Sequence, residues 1–523
     1  MPFSFINTVA SWMLKKRMHQ IELFVKYPID VQNEELKKLV QQAKNTEFGK
    51  KYDFYSIDNY QTFSERVPSF TYEEFFPTIK KTINGQQNIF WSENIKWFAQ
   101  SSGTTNSKSK FIPVSNSSLD NCHFKGGKDM LCLYLNNNEN SNMFLGKSLR
   151  LGGSRKIYEN NDNYFGDLSA ILIDNLPIWA ELISTPNNEI SLMDKWDEKI
   201  DAIIKGTLQE DVRSLAGVPS WMLTLMNKLL KTTGNKYIDD IWKNLEVYFH
   251  GGVSIKPYRN EFNNIISNKD FKYYEVYNAS EGFFGIQDTN DGRDLLLMLD
   301  YGIFYEFVEI SDQKKSEKII DLSQVKMGVN YSMLITTNSG LWRYKIGDTV
   351  QFTSLDPFRI IISGRTKHFI NAFGEEVIID NVEKALEKVI KKHKCKIVDY
   401  TRLLIPYRVL GTRSDAQNTI LGSGHDGIYK SVDGINWTKI ELYHPMDEDN
   451  SDYNATVVPM DLELDKDNRL WVSSTMSSEY KLVGDWINNP PKGGGKIYRL
   501  NEEGSAATFI NEIMTHHQLF FHI

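Results

Sequence analysis

Ser101-Ser102-Gly103-Thr104-Thr105-Asn106-Ser107-Lys108-Ser109-Lys110 is the stretch on which the reading of this chain turns. It is rich in hydroxyls, carries one glycine and two lysines, and lies between two segments of strand character. Asn94-Ile95-Lys96-Trp97-Phe98-Ala99 leads into it, and Lys110-Phe111-Ile112-Pro113-Val114 leads out. Backbone N–H groups and short hydroxyls can surround a triphosphate, and a lysine can neutralise it. The order of glycine and lysine is not that of a Walker loop. On its own, the same composition also describes a flexible surface loop.

Three further stretches carry chemistry. Tyr277-Asn278-Ala279-Ser280-Glu281-Gly282 follows the strand-like Tyr273-Tyr274-Glu275-Val276-Tyr277, and a carboxylate beside a hydroxyl at a strand end can hold Mg²⁺ and a phosphate oxygen. Leu341-Trp342-Arg343-Tyr344-Lys345-Ile346-Gly347-Asp348 ends in an aspartate expected after a glycine at a strand end, where it can grip two ribose hydroxyls. Gly364-Arg365-Thr366-Lys367-His368-Phe369-Ile370, continuing to Phe373-Gly374-Glu375-Glu376-Val377, mixes bases with glycines as a hinge touching phosphate does. Taken singly, these read as a strand turn with a solvated acid, an ordinary Gly-Asp turn and a β-hairpin.

As an ordered set, the four motifs resemble the acyl-adenylate-forming superfamily. They are most similar to its auxin-responsive (Gretchen Hagen) acyl acid–amido synthetase family, bacterial branch. Phe48-Gly49-Lys50, Ser214-Leu215-Ala216-Gly217-Val218-Pro219-Ser220-Trp221 and His250-Gly251-Gly252 support that branch, and the resemblance runs from about residue 10 to about 400. It implies that ATP and a small carboxylic acid form an acyl-adenylate, which then passes its acyl group to an amine or amino acid. Ser101, Ser102, Gly103, Thr104 and Thr105 would hold phosphates, with Lys110 nearby. Tyr277 would lie against adenine, Ser280 at the α-phosphate, Glu281 on Mg²⁺ and Asp348 on the ribose. Arg365 and Lys367 would sit at the hinge. Trp221, His250 and Gly251, with Met222, would border the acid. An acyl-CoA ligase and a non-catalytic nucleotide-binding protein are the competing readings.

Composition agrees with a large enzyme. The 523 residues are 41% hydrophobic, enough for two or three domains. A net charge of −7 and a pI near 5.9 give no basic excess for nucleic acid or an anionic membrane. Lys15-Lys16-Arg17 and Lys391-Lys392-His393-Lys394 read as solvated helix faces. Cys122, Cys132 and Cys395 fit no zinc or redox spacing, and the N-terminus shows no secretory pattern, so a cytoplasmic location is expected. No run reaches the ~18 apolar residues of a membrane span.

Along the chain, helical period from about 4 to 45 gives way to alternating strand and helix patterns from about 150 to 350, which predicts an α/β fold with mixed sheets and flanking helices. A second helix is expected to open at Glu34-Glu35 and to stop at Phe48-Gly49. Helix character also runs from Val218 to Leu230, and Leu245–His250 reads as a buried strand. We divide the chain into an adenylate-forming domain (1–353), a hinge with the start of a lid (354–401) and a mostly-β segment (402–523).

The resemblance fades after Val398-Asp399-Tyr400-Thr401. Gly427-Ile428-Tyr429-Lys430-Ser431-Val432-Asp433-Gly434-Ile435-Asn436-Trp437, the segment from Asp465 to Ser474, and Gly495-Lys496-Ile497-Tyr498-Arg499-Leu500 resemble β-propeller strands and turns. A closed propeller needs at least ~4 blades of ~40–45 residues, more than this segment supplies. A truncated lid with a fused fragment is therefore expected, and with it weak transfer to the amine.

Overall fold

The computed structural model describes residues 16–101, 110–153, 158–160, 162–193, 195–310 and 318–365, and beyond these only the backbone of strands between 370 and 513. The chain forms two compact units, 1–400 and 401–523.

The first unit is built on a twelve-stranded mixed sheet. Its strands are β3 (Lys147–Leu151), β6 (Ser184–Thr185), β7 (Val212–Gly217), β8 (Val247–His250), β9 (Lys272–Ala279), β10 (Gly282–Ile286), β11 (Leu295–Leu297), β12 (Ile303–Glu309), β13 (Ile319–Asp321), β14 (Asn330–Thr337), β15 (Tyr344–Leu355) and β16 (Phe358–Arg365). They are ordered β13-β12-β14-β15-β16-β11-β10-β9-β8-β7-β3-β6. From β6 to β9 neighbouring strands are parallel, and from β9 to β13 they are antiparallel. The change falls at β9, whose carboxyl end carries Ser280-Glu281. Ligands in α/β sheets gather at the carboxyl ends of parallel strands, where connections diverge.

A four-stranded sheet, ordered β2-β1-β5-β4, lies beside it in the chain. It joins β1 (Trp97–Ser101), β2 (Lys110–Val114), β4 (Tyr158–Asn160) and β5 (Asn163–Gly166). The pair Ser101↔Lys110 closes the β1–β2 ladder, so the hydroxyl-rich segment springs from a fixed base.

Local chemistry explains the helices. Pro219 opens the helix Pro219–Thr233 at a position where no intrahelical N–H is needed, and Gly234 ends it in the left-handed region. Its buried Met222, Leu223, Leu225, Met226 and Leu229 pack with Leu149, Leu215 and Tyr248 of the parallel strands. All four residues of β8 are buried, which accounts for its unbroken apolar pattern.

Four expectations need correction. The second helix starts at Pro28, not Glu34, so Glu34 and Glu35 pair with Lys37 and Lys38 one turn on instead of capping an N-terminus. Phe48-Gly49 lies inside a short helix, Glu47–Lys51, capped by Thr46. Arg17 is not on a solvated face: it is buried between Asp129 (2.5 Å) and Asp300 (2.7 Å). The Gly-Asp pair at 347–348 sits within the twelve-residue β15 and not at a strand end.

No described helix is long and apolar enough to cross a membrane. In the second unit, β19 (Ile420–Gly424), β20 (Gly427–Ser431), β21 (Thr438–Leu442), β22 (Thr456–Leu464), β23 (Leu470–Ser477), β24 (Gly495–Leu500) and β25 (Ala506–Ile513) form one sheet with the order β19-β20-β21-β25-β24-β23-β22. It consists of a three-stranded and a four-stranded antiparallel meander joined by the parallel pair β21–β25. Lys391–Lys394 and the end of the expected lid lie outside the described residues.

Candidate functional site

Asp348 shows how the sheet prepares a side chain. The β14–β15 register shifts between Ser332 and Leu334, and Gly347 has φ +91° within that bulge, a conformation that favours glycine. Shortly before the bulge, the chain is pinned. Trp342 is fully buried, stacks on Phe48 with ring centroids 5.8 Å apart, and donates to the Phe90 carbonyl at 3.0 Å. Arg343 is fixed by buried Glu306 at 2.7 Å and by the Ser64 and Val67 carbonyls. The Phe48 and Leu341–Asp348 motifs thus meet in one packed core.

The Asp348 carboxylate is buried. Its Oδ2 accepts from the Tyr277 hydroxyl at 2.7 Å. Its Oδ1 lies 2.8 Å from Arg365 Nε, without the alignment of a hydrogen bond. The cross-strand register Asp348↔Arg365 puts these two directly opposite. One carboxylate oxygen is thus held by a hydrogen bond, and the other is ion-paired with Arg365 but left without an aligned hydrogen-bond donor. Tyr277 itself is 5% exposed, with its ring centroid 4.8 Å from that of Phe284. In this setting its hydroxyl orients Asp348, and little of its ring face is free for adenine.

Glu281 occupies the two-residue turn between β9 and β10. Burial pushes its carboxyl up to about 7, and the charge of Asp348 adds to the rise. Lys110 and Arg365 oppose it. Three stretches distant in sequence therefore bear on one carboxyl: the base of the hydroxyl-rich segment through Lys110, Asp348 in β15, and the arginine ending β16. Lys110 also lies over the Tyr72 ring at 5.4 Å, and the Phe111 N–H donates to the Tyr72 hydroxyl at 2.8 Å, so the base of the segment is anchored.

Beside Glu281, a cavity of about 520 Å³ opens at the carboxyl ends of β3, β7, β8 and β9. Ser280, Trp221, His250 and Gly251 all line it, mostly with apolar neighbours. Gly251 is required by closeness: a Cβ there would stand 2.6 Å from the Val276 carbonyl oxygen. His250 is 2% exposed, its Nδ1 has no partner, and burial pushes its imidazole down to about 3, which keeps it neutral. Met222 faces the core and does not line the cavity.

Of the remaining expected residues, Ser101 is described only in its backbone, and Ser102, Gly103, Thr104, Thr105 and Lys367 lie outside the described residues. The β17–β18 pair, Ile370–Ala372 with Glu375–Val377, is the hairpin weighed as an alternative for the fourth motif.

The sequence reading missed Arg150 and His123, which line the same cavity. Arg150 had a usable signal. Arg150-Leu151-Gly152-Gly153 ends a strand in a glycine pair, as His250-Gly251-Gly252 does. His123 closes the π-helical turn Leu119–His123, which leaves no sequence mark.

With the mixed sheet and this site in view, comparison with known proteins defines the class: the fold is shared with acyl acid amido synthetases. A solved acyl acid amido synthetase, AtGH3.15 in complex with 2,4-DB, superposes with a TM-score of 0.61 at 17% identity, covering 72% of this chain and 74% of that one. Within the class, residues 17–271 match the GH3 family N-terminal domain and residues 296–365 the GH3 family central domain, so the chain carries both domains of that family. It is 23% identical over 472 residues to the indole-3-acetic acid-amido synthetase GH3.2 of Arabidopsis thaliana, covering 74% of this chain and 83% of that protein. It is 22% identical to the jasmonoyl–L-amino acid synthetase JAR6 of Nicotiana attenuata, covering 64% of this chain and 69% of that protein.

Proposed function

We propose that this protein is a ligase that activates a small carboxylic acid with ATP and joins it to an amine, in the manner of an acyl acid–amido synthetase. A carboxylate oxygen of the acid attacks the α-phosphorus of ATP, and pyrophosphate leaves. The amine nitrogen then attacks the acyl carbon, AMP leaves with the bonding pair, and the nitrogen loses a proton. The first step needs no general base because its nucleophile is already ionised.

The residues support this by positioning and charge. Asp348, oriented by Tyr277, would accept from the ribose hydroxyls. Lys110 and Arg365 bring positive charge to where the phosphates would lie. Ser280 stands between that charge and the apolar cavity, where the acid would place its carboxylate. The observation that carries the proposal is the buried Asp348 carboxylate, held by Tyr277 and facing Arg365 across the sheet, with Ser280 in the wall of the apolar cavity.

The donor set also suits Mg²⁺. Among the described residues no group of three or more His, Cys, Asp or Glu could hold a metal. Mg²⁺ commonly takes one or two carboxylates together with substrate phosphates and water, and Glu281 would supply the protein's share. When bound, it would offset phosphate charge.

A cytoplasmic place agrees with Cys122 and Cys132, which are buried and free. The test is pyrophosphate release across a panel of carboxylic acids, followed by amide formation with amino acids. Thioester formation with CoA in place of amide would assign the acyl-CoA ligase reading, and the absence of acid-dependent pyrophosphate would remove both.

A further inference from the structure

Arg150 holds a position that the proposed chemistry does not use. It sits near the end of β3, opposite Ala216 of β7, and its side chain lines the cavity. Its guanidinium makes one long contact, Nη2 to the Ala180 carbonyl at 3.5 Å. Among the described residues no carboxylate lies within ion-pair distance. Glu181 acts on it only through space, and Asp167, also in the wall, is engaged in capping Ser169.

Burial pushes Arg150 down to about 10, so it remains charged at neutral pH. Arg150 is half-buried, and a charge partly shielded from water without a counter-ion is costly; an anionic ligand would reduce that cost. Two buried imidazoles share the wall. His123 and His250 are 6% and 2% exposed, and the Nδ1 of each lacks a hydrogen-bond partner. The remaining wall is largely apolar.

We propose that this cavity binds a carboxylate at Arg150, separate from the one activated beside Ser280. The inference rests on the reading that adenylation takes place at Ser280. β3, β7, β8 and β9 are consecutive neighbours, and three steps of about 4.8 Å put the strands bearing Arg150 and Ser280 about 14 Å apart. That gap accommodates two carboxylates with an apolar spacer. Both can belong to one dicarboxylic acid, or the second can be the α-carboxylate of an amino-acid acceptor.

The experiment compares the full-length wild type with R150Q, and uses R150K to restore charge without the planar fork. Suberate and octanoate, equal in chain length, are assayed for ATP–pyrophosphate exchange, and amide formation is assayed with an amino acid and its α-amide. Suberate binding is also followed by calorimetry without ATP, a readout that survives if the chain adenylates nothing. A rise of about tenfold or more in the R150Q KM for suberate, with octanoate unchanged and partial rescue by R150K, assigns the site to the acid. Unchanged exchange with a similar rise in KM for the amino acid, but not for its amide, assigns it to the acceptor. Calorimetric suberate binding lost in R150Q supports the site even without exchange. No selective difference between R150Q and wild type in any of these measurements overturns the proposal.

Discussion

Glu281 should make the stability of this chain depend on pH in a direction opposite to that of most carboxylates. Its folded value is raised from 4.5 to about 7, first by burial and then by the charge of Asp348. The folded chain therefore keeps a proton on Glu281 at pH values where the unfolded chain has lost it. The contribution favours folding at low pH, weakens as pH rises through 4.5, and is fully lost above 7. At about 1.4 kcal/mol per pH unit, the loss amounts to about 3 kcal/mol.

E281Q keeps the shape and cannot ionise. Its stability relative to wild type should be constant at and below pH 4.5, climb between 4.5 and 7, and level off with the variant about 3 kcal/mol better placed. Urea unfolding followed by tryptophan fluorescence at five pH values measures this, and other titrating groups cancel in the difference. D348N, which removes the neighbouring charge, should lower the Glu281 value and flatten the curve. A wild-type-minus-E281Q difference constant within about 0.5 kcal/mol from pH 4.5 to 8 would refute the reasoning, because partial burial and the Asp348 charge would then not act on Glu281.

Other outcomes follow from single contacts. D348A should raise the KM for ATP roughly 10- to 100-fold in pyrophosphate exchange, since hydrogen bonds to a charged group contribute about 1.5–3 kcal/mol. Y277F should lower folded stability by about 1–3 kcal/mol in urea, because it leaves the buried Asp348 carboxylate without its donor. G251A forces a methyl against the Val276 carbonyl and should raise the KM for the acid several-fold while that for ATP stays within twofold, at an overpacking cost of about 1–3 kcal/mol. R343M strands Glu306 in the core and should cost about 3–5 kcal/mol, read as a lower unfolding midpoint.

Much of this architecture could be read from residue patterns because local forces dominate it. The unbroken apolar run of β8 and the proline-to-glycine span of the helix at 219–233 speak for themselves. Glu281, Asp348 and Arg365 were likewise legible as types in motifs. Their geometry was not. The pairing of Asp348 with Arg365 depends on a bulge at Gly347 and on strand register, and neither is encoded in a short window. The same holds for Arg17, whose basic neighbours suggest a solvated face but whose partners, Asp129 and Asp300, are more than a hundred residues away. Tyr277 reads as a ligand-facing aromatic, yet burial against Phe284 turns it into a support for Asp348. Arg150 and His123 join the cavity only through tertiary packing.

Isotope exchange between pyrophosphate and ATP, run with a panel of carboxylic acids on wild type, E281A and D348A, tests the central claim most directly. The account expects exchange that depends on an added acid and falls roughly 10-fold or more in both variants. Exchange that no acid evokes in the wild type, or that persists undiminished in both variants, would contradict it.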